Sequence, residues 1–440
     1  MKRLDPPAAV RGIVDTLEEA GFETWCVGGA VRDALLGHPG LDWDVATAAS
    51  PQQVRRLFRR TVPVGIEHGT VGVLDREGRM HEVTTFRRDV RTDGRHAVVE
   101  FGASLEEDLA RRDFTINAIA YSPSRGELRD PFDGQGDLSR GLMRAVGDPA
   151  ARLAEDRLRA LRAIRFAARF GFRIEPRTWQ AIVDSAPHLG RLSAERVKQE
   201  LEKTMEQVSR PGRAIALWRD AGALGALVPP LATIEDRWLE ALDCLPAPGP
   251  RARPRRRLDR LTMLLLSLGG REAEGTARAL RFANADAAWI GAMADRWASL
   301  GDEMTATIAE GTASDGTIRR WAAVAGRTRL APLLRLAAAL WRVDLAAGRQ
   351  APEAVAVRAL YRRAIRVAYR DPIEIGDLAV DGDDLRRAGI PPGPLLGRIL
   401  HALLARVIED PSLNRRETLV GLALEIRARL TGESPPHSES

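Results

Sequence analysis

The side chains best suited to chemistry stand in "GLDWDVATAAS", residues 40 to 50, where Asp42 and Asp44 are one residue apart inside an apolar run. Strand side chains alternate with a period of two, so this spacing turns both carboxylates to one face and Leu41, Trp43 and Val45 to the other. Two like charges held together cost free energy unless an arginine, a lysine or a divalent metal stands between them. Asp-x-Asp alone is equally the pattern of a solvated strand face. Shortly upstream, "CVGGAVRDALLG" reads as a strand, two glycines and a helix. Gly28 and Gly29 at a helix entrance let backbone N–H groups approach an anion, and Arg32 in the first turn adds a positive charge. A phosphate cradle beside paired carboxylates is the equipment of nucleotidyl transfer, in which two Mg²⁺ ions activate an attacking hydroxyl and stabilise a leaving pyrophosphate.

The elements that must hold these groups change character along the chain. Residues 1–145 mix short strand-like segments ("TWCVGG", "GTVGVLD", "MHEVTTF") with Gly, Asp and Pro turns and short helices, as an α/β domain does. From Asp148 onward strand signals nearly vanish, and segments such as "AEDRLRALRAIRFAARF" and "SAERVKQELEKTMEQV" carry apolar residues at helical spacing. The fold class expected is therefore α+β: an α/β head followed by an all-α remainder. "LPAPGPRARPRRRLDR", Leu245 to Arg260, reads as a linker or exposed loop, a solvated basic segment that is also open to RNA. The last residues, 431–440, have the composition of a disordered terminus.

With 440 residues, 45% of them hydrophobic, the chain has material for several domains with real cores. Its net charge of +6, carried by arginine far more than lysine, suits a phosphate-rich partner, and is also what an arginine-favouring codon bias produces. Cys26 and Cys244 lie far apart and form no metal-ligand pattern, as expected of core cysteines in a reducing cytoplasm. "MKRLDPPAAVRG" lacks the apolar run of a leader and "LTMLLLSLGG" is too short to span a bilayer, so neither secretion nor a membrane partner is expected.

"GGAVRDALLG", "LDWDVATAA", "EVTTFR", "LARRDFTINAIAY", "DPFDGQGDL" and "LAEDRLRALRAIRFAARFGF" follow one another in that order. Together they resemble the bacterial class II tRNA nucleotidyltransferase (CCA-adding) and poly(A) polymerase family, closely over residues 21–210 and loosely over 375–430. The resemblance implies a polymerase-β-like nucleotidyltransferase head (1–145) and a helical neck bearing a nucleotide-recognition helix (146–225). It further implies a helical body (226–370) and a tRNA-binding tail (371–430). The implied activity is Mg²⁺-dependent, untemplated addition of C, C and A to the 3′ end of tRNA from CTP and ATP. Enzymes of the same family that add only CC or only A, or that make poly(A), are alternatives, and a non-catalytic RNA-binding protein on the same scaffold is a different class. Two clustered charges, Asp42 and Asp44, have no use in an idle site.

Residue by residue, Asp42 and Asp44 match the family's metal-binding pair, and Gly28, Gly29 and Arg32 its triphosphate-binding turn. Glu82 in "HEVTTF" is the candidate third carboxylate, with a salt bridge to a neighbouring arginine as the alternative. Arg112, Asp113 and Asn117 match residues that hold the triphosphate, fix local geometry and contact the ribose; Asp113 and Asn117 are also spaced for an ordinary local contact. Asp156 and Arg159, three apart, would share a helix face, either as a surface ion pair or as a reader of base edges. Cytosine and adenine both present an exocyclic amine beside a ring-nitrogen acceptor, whereas uracil and guanine present a carbonyl beside a ring N–H. A carboxylate with a guanidinium thus accepts C and A and rejects U and G. Arg162, Arg165 and Arg169 continue at spacings of three and four, facing RNA or nearby acids.

The family pattern breaks in the body. Some relatives carry a His-Asp phosphohydrolase strip, but "LLLSLGG", residues 264–270, has Leu266 and Ser267 where the metal-binding His and Asp would stand, and residues 230–350 contain no histidine. That degenerate region is expected to be structural. In the tail, "VDGDDLRRAGIPPGPLLGRIL" resembles a helix-hairpin-helix backbone, or is a plain interhelical turn. "RRDVRTDGRHAVVEFGA", with Asp93-Gly94 at its centre and Arg95 beside it, reads as a mobile hairpin next to the site.

Overall fold

The computed structural model describes residues 4–38, 40, 42–92, 97–247 and 255–431. The chain divides into two compact units, Met1–Thr233 and Ile234–Ser440. The head and neck expected from the sequence both lie in the first.

The first unit is built on a mixed sheet of β1 (Thr24–Val27), β2 (Asp44–Thr47), β3 (Thr61–Gly65), β4 (Thr70–Leu74), β5 (Met80–Thr85), β8 (Ala120–Ser122) and β9 (Glu127–Arg129). A separate hairpin, β6 (Arg87–Thr92) and β7 (Ala97–Phe101), intervenes, and the order across the sheet is β3-β4-β5-β2-β1-β8-β9. The expected hairpin is thus present with a register shift between Asp89 and Arg91, while its turn, with Asp93 and Arg95, lies outside the described residues. Alternation decides the faces: Val45, Val71, Val73 and Val83 point to one core, together with Val10, Val14 and Leu17 of helix α1 (Ala8–Glu19). On the opposite face Trp25, Val27 and Ala46 pack against Leu105 and Leu109 of α4 (Leu105–Ala110). That second core stops short of the end of β2, and so Asp44 is left uncovered.

Two further short helices, α2 (Gly29–Leu35) and α3 (Pro51–Leu57), follow β1 and β2; α3 opens on a capping box between Ser50 and Gln53. After α5 (Gly134–Arg140) come the helices α6 (Pro149–Glu155), α7 (Leu158–Phe170), α8 (Pro176–Ser185) and α9 (Ala194–Gln207). Strands do not quite vanish here. A two-residue pair, β10 (Leu142–Met143) with β11 (Arg173–Ile174), runs parallel and ties the end of α7 back to the head, a feature too short for sequence periodicity to reveal.

Every described element of the second unit is helical, from Asp236–Cys244 to Arg416–Thr431. The Arg-rich stretch expected as loop is helical from Arg255, residues 248–254 lying outside the described set, as does most of the expected disordered end (432–440). Arg260 is wholly buried, donates to the Leu245 carbonyl, and has its pKa lowered to about 10 by burial. Its aliphatic stem serves the core of this unit, which an arginine-rich composition conceals. Leu266 is buried in a short turn of helix, and among the described residues no group of three His, Cys, Asp or Glu side chains is placed to hold a metal. In the tail, Gly382–Arg387 and Pro394–Glu409 flank a turn with Gly389 and Gly393 at positive φ, over a core that includes Leu385, Ile399 and Leu403.

Candidate active site

Asp44 opens β2 and pairs in register with Val27, the last residue of β1. Beyond Val27 the chain turns at Gly28 (φ +76), so there is no strand for Asp42 to pair with, and Asp42 lies just before β2 instead of within it. Trp43 and Val45 are buried on the far face as expected, and Asp42 and Asp44 are exposed. Parallel pairing of Val45 with Val83 sets Glu82 beside Asp44 on the same face. None of the three carboxylates makes a hydrogen bond or ion pair with a described residue. Partial burial, the charge of Glu82 and that of Asp42 raise the Asp44 pKa above the ordinary carboxylate range, against the opposing pull of Arg112. The three do not close into a metal-holding cluster, but Asp42 and Asp44 keep open coordination sites and a repulsion that a hard divalent cation would relieve.

Gly28 is where the cradle tightens. The positive φ favours glycine there, and a Cβ would stand 2.8 Å from Arg112 Nη1 and 3.8 Å from Asp44 Oδ2, so any side chain would push the guanidinium aside. Arg112 Nη2 leans on Asp108 Oδ2 at 3.2 Å, while its buried Nε has no partner. The guanidinium Nη1 beside the glycine turn is the donor that an anionic ligand there would meet.

Arg32 is placed differently from the phosphate contact expected of it. It is buried, its pKa lowered by burial against the pull of Asp33, and it donates to Asp33 Oδ1 (2.7 Å) and Asn117 Oδ1 (2.5 Å). Its guanidinium also lies 5.0 Å and 4.8 Å from the ring centres of Phe166 and Phe170 on α7. Asn117 in turn donates to Asp113 Oδ1 at 2.9 Å, and Asp113 Oδ2 accepts Arg162 Nε and Nη2 at 2.9 and 2.7 Å. Arg32, Asn117, Asp113 and Arg162 thus form one continuous chain from α2 to α7. Burial alone would raise the Asp113 pKa, but Arg162 and Asn117 outweigh it and hold the carboxyl below its usual range.

Asp156 is not on the recognition helix but in the extended junction between α6 and α7 (φ −149), where Oδ1 accepts the Leu158 amide and Oδ2 the guanidinium of Arg196 at 2.8 Å. An aspartate just ahead of an apolar helical run is a capping signal, and that signal places it. Arg159 is within α7 and donates to Glu155 Oε2 (2.6 Å) and to the carbonyls of Arg152 and Arg111. Asp156 and Arg159 therefore do not pair with each other. Arg165 is buried against Glu200 and Gln207, and Arg169 reaches Asp33, so both meet acids of this unit. Three supporting residues were missed: Asp108, Asp33 and Arg196. Asp108 and Arg112, an acid four residues ahead of a base, carried a readable helical signal; Asp33 adds to its contact with adjacent Arg32 a distant one with Arg169, and Arg196 reaches Asp156, distances that no local pattern reports.

Residues 24–144 match the poly A polymerase head domain, and residues 171–234 the probable RNA and SrmB-binding site of polymerase A. The CCA-adding enzyme of Limosilactobacillus fermentum is 37% identical over 427 residues, 94% of this chain and 96% of that protein. That of Leuconostoc mesenteroides is 51% identical over 195 residues, a match spanning 44% of this chain and 48% of the relative. The crystal structure of the Bacillus stearothermophilus CCA-adding enzyme in complex with CTP aligns with a TM-score of 0.73 and 33% identity, covering 96% of this chain and 98% of that one. The Thermotoga maritima enzyme complexed with tRNA shares the fold at a TM-score of 0.67 and 22% identity, covering 98% and 97%. With its head matched to a polymerase and 94% of its length aligned to the Limosilactobacillus enzyme, the chain belongs to the family of CCA-adding tRNA nucleotidyltransferases.

Proposed function

We propose that this chain adds C, C and A to the 3′ end of tRNA from CTP and ATP without a nucleic-acid template, in the cytoplasm, with Mg²⁺ held by Asp42 and Asp44. The observation that carries the reading is the meeting of Gly28, Asp44 and the Arg112 guanidinium, through its Nη1, at one end of the sheet. The family is one of metal-dependent nucleotidyltransferases, and the donor set fits Mg²⁺, which takes one or two carboxylates together with waters and substrate phosphate. When bound, the ion supplies activation of the 3′ hydroxyl and charge neutralisation at the leaving pyrophosphate. Gly28 and Gly29 admit the triphosphate to the backbone, and Arg112 gives it a charge-assisted hydrogen bond. Glu82 keeps the local charge negative, which favours cation capture. One N–H of Asn117 is spent on Asp113, which leaves the other for a ribose hydroxyl.

Asp156 and Arg159 are the base readers in this account. A carboxylate oxygen retains a lone pair after Arg196 has taken one, and that lone pair accepts the exocyclic amine of C or A. Arg159, by turning from Glu155, donates to the ring nitrogen. The purified protein incubated with tRNA lacking its 3′ end, Mg²⁺ and each labelled NTP, followed by sequencing of the ends, tests the whole reading. Termini of CCA support it; termini of CC, of A alone or of poly(A) replace it with the corresponding family activity, and no extension leaves only RNA binding.

A further inference from the structure

Asp44 stands between two unlike surfaces of the sheet. On the β1 side are Gly28 and Arg112, the groups given above to the triphosphate. On the other side the same face continues through Glu82 of β5 to Gly72 of β4 and Val62 of β3, which the register places in one row. Gly72 has no side chain to raise there, and Val64 and Met80 close over it: a Cβ on Gly72 would meet Val64 Cγ2 at 2.9 Å and Met80 Sδ at 2.7 Å. Val62, Val64 and Met80 are 37%, 42% and 47% exposed. Val62 and Val64 stand on the edge strand β3 and Met80 at the start of β5; exposed apolar side chains grouped this way are a liability that proteins ordinarily blunt, and here they adjoin the carboxylates.

In-line displacement requires the attacking hydroxyl and the leaving pyrophosphate on opposite sides of the reacting phosphorus. With the pyrophosphate toward Gly28 and Arg112, the 3′ end of the RNA must reach the carboxylates over β5, β4 and β3. The charge at that end of the sheet is suited to it. Arg59 and Arg60 lead into β3, and Arg76 and Arg79 lie in the adjoining β4–β5 turn, all exposed. Arg60 donates to the Asp75 carbonyl and so holds the two groups together, while Asp75 is engaged by His81 and Glu77 by Arg79.

We propose that Val62, Val64 and Met80 form an apolar platform under the unpaired 3′-terminal nucleotides of the RNA, with the flanking arginines facing its phosphates. This rests on the nucleotidyl-transfer reading and adds the path of the acceptor strand to it. Apolar contact with base faces is indifferent to base identity. Such a surface serves an acceptor whose last letter changes with each addition.

The test is the combined variant Val62→Ser, Val64→Ser, Met80→Ser, assayed on tRNA lacking its 3′ end at saturating CTP. The expected result is a rise of about tenfold in KM for the RNA, the scale of losing a few apolar contacts, with KM for CTP unchanged. Independently of any variant's folding, wild-type protein with RNA carrying 4-thiouridine at its 3′ terminus should crosslink within residues 61–82. An unchanged KM for RNA, or crosslinks confined elsewhere, overturns the platform while leaving nucleotidyl transfer in place. A wild-type chain that extends no RNA overturns both.

Discussion

Asp113 and Arg162 meet across 49 positions of sequence, with Nε and Nη2 of the guanidinium converging on one carboxylate oxygen. The other oxygen takes Asn117 and the Phe114 amide. Removing this carboxylate strands a guanidinium and an amide together. Asp113→Ala is therefore expected to lower unfolding free energy by about 3 kcal/mol, read from urea denaturation. An unaltered midpoint would show the pair to be solvated.

The same carboxyl gives a pH signature. Its folded pKa is depressed, so its contribution is fully present above the unfolded value of about 3.9 and is lost as pH falls through the lower folded value. The stability difference between wild type and Asp113→Asn is expected to be constant from neutral pH to about 5 and to shrink below about 4. A difference that shrinks near neutrality instead would implicate some other group.

Asp44 behaves in the opposite sense. Its carboxylate is held in repulsion with Glu82 and Asp42, so Asp44→Asn is expected to leave the thermal midpoint of the metal-free protein unchanged or slightly raised. Nucleotide addition should fall by about 10³-fold or more, the scale of several kcal/mol of lost transition-state stabilisation. Near-wild-type turnover would remove Asp44 from the mechanism.

Gly28→Ala tests the cradle. Its φ of +76 strains any β-carbon, and the added atom displaces Arg112. The expected outcome is a cost of about 1 kcal/mol in stability and a loss in kcat/KM of equal size for CTP and ATP. Loss for one nucleotide alone would place Gly28 in base selection and not in triphosphate binding.

Asp156→Ala should relax discrimination against UTP and GTP more than it weakens CTP binding, measured as kcat/KM ratios. Arg196→Ala, which frees one oxygen of Asp156, should loosen the same ratios by a smaller factor with triphosphate KM unaffected. Ratios that stay at the wild-type margin in Asp156→Ala would make it a helix cap and nothing more.

The sheet and the helical remainder were legible because alternation and helical spacing are local, as in His81, Val83 and Thr85 turned inward against Glu82 turned out. The glycine turn and the exposure of Asp42 and Asp44 were legible for the same reason, since both follow from a few neighbouring residues, whereas the start of β2 at Asp44 was not. Arg32 and Arg165 were less so. Their partners Asn117 and Glu200 lie 85 and 35 positions away, and a buried arginine has the same letter as an exposed one. Spacing alone puts Asp156 on the helix with Arg159, but the Leu158 amide, which donates to Asp156 Oδ1, holds it at the junction instead.

Asp156 is held by Arg196 and Arg159 by Glu155, so the two groups given to base reading are positioned independently of each other. In the proposed reading, one acceptor and one donor carry a single bit: they sort four bases into two classes, C with A and U with G. Choosing C twice and then A needs a second bit, which a pair of groups that both nucleotides satisfy alike does not hold.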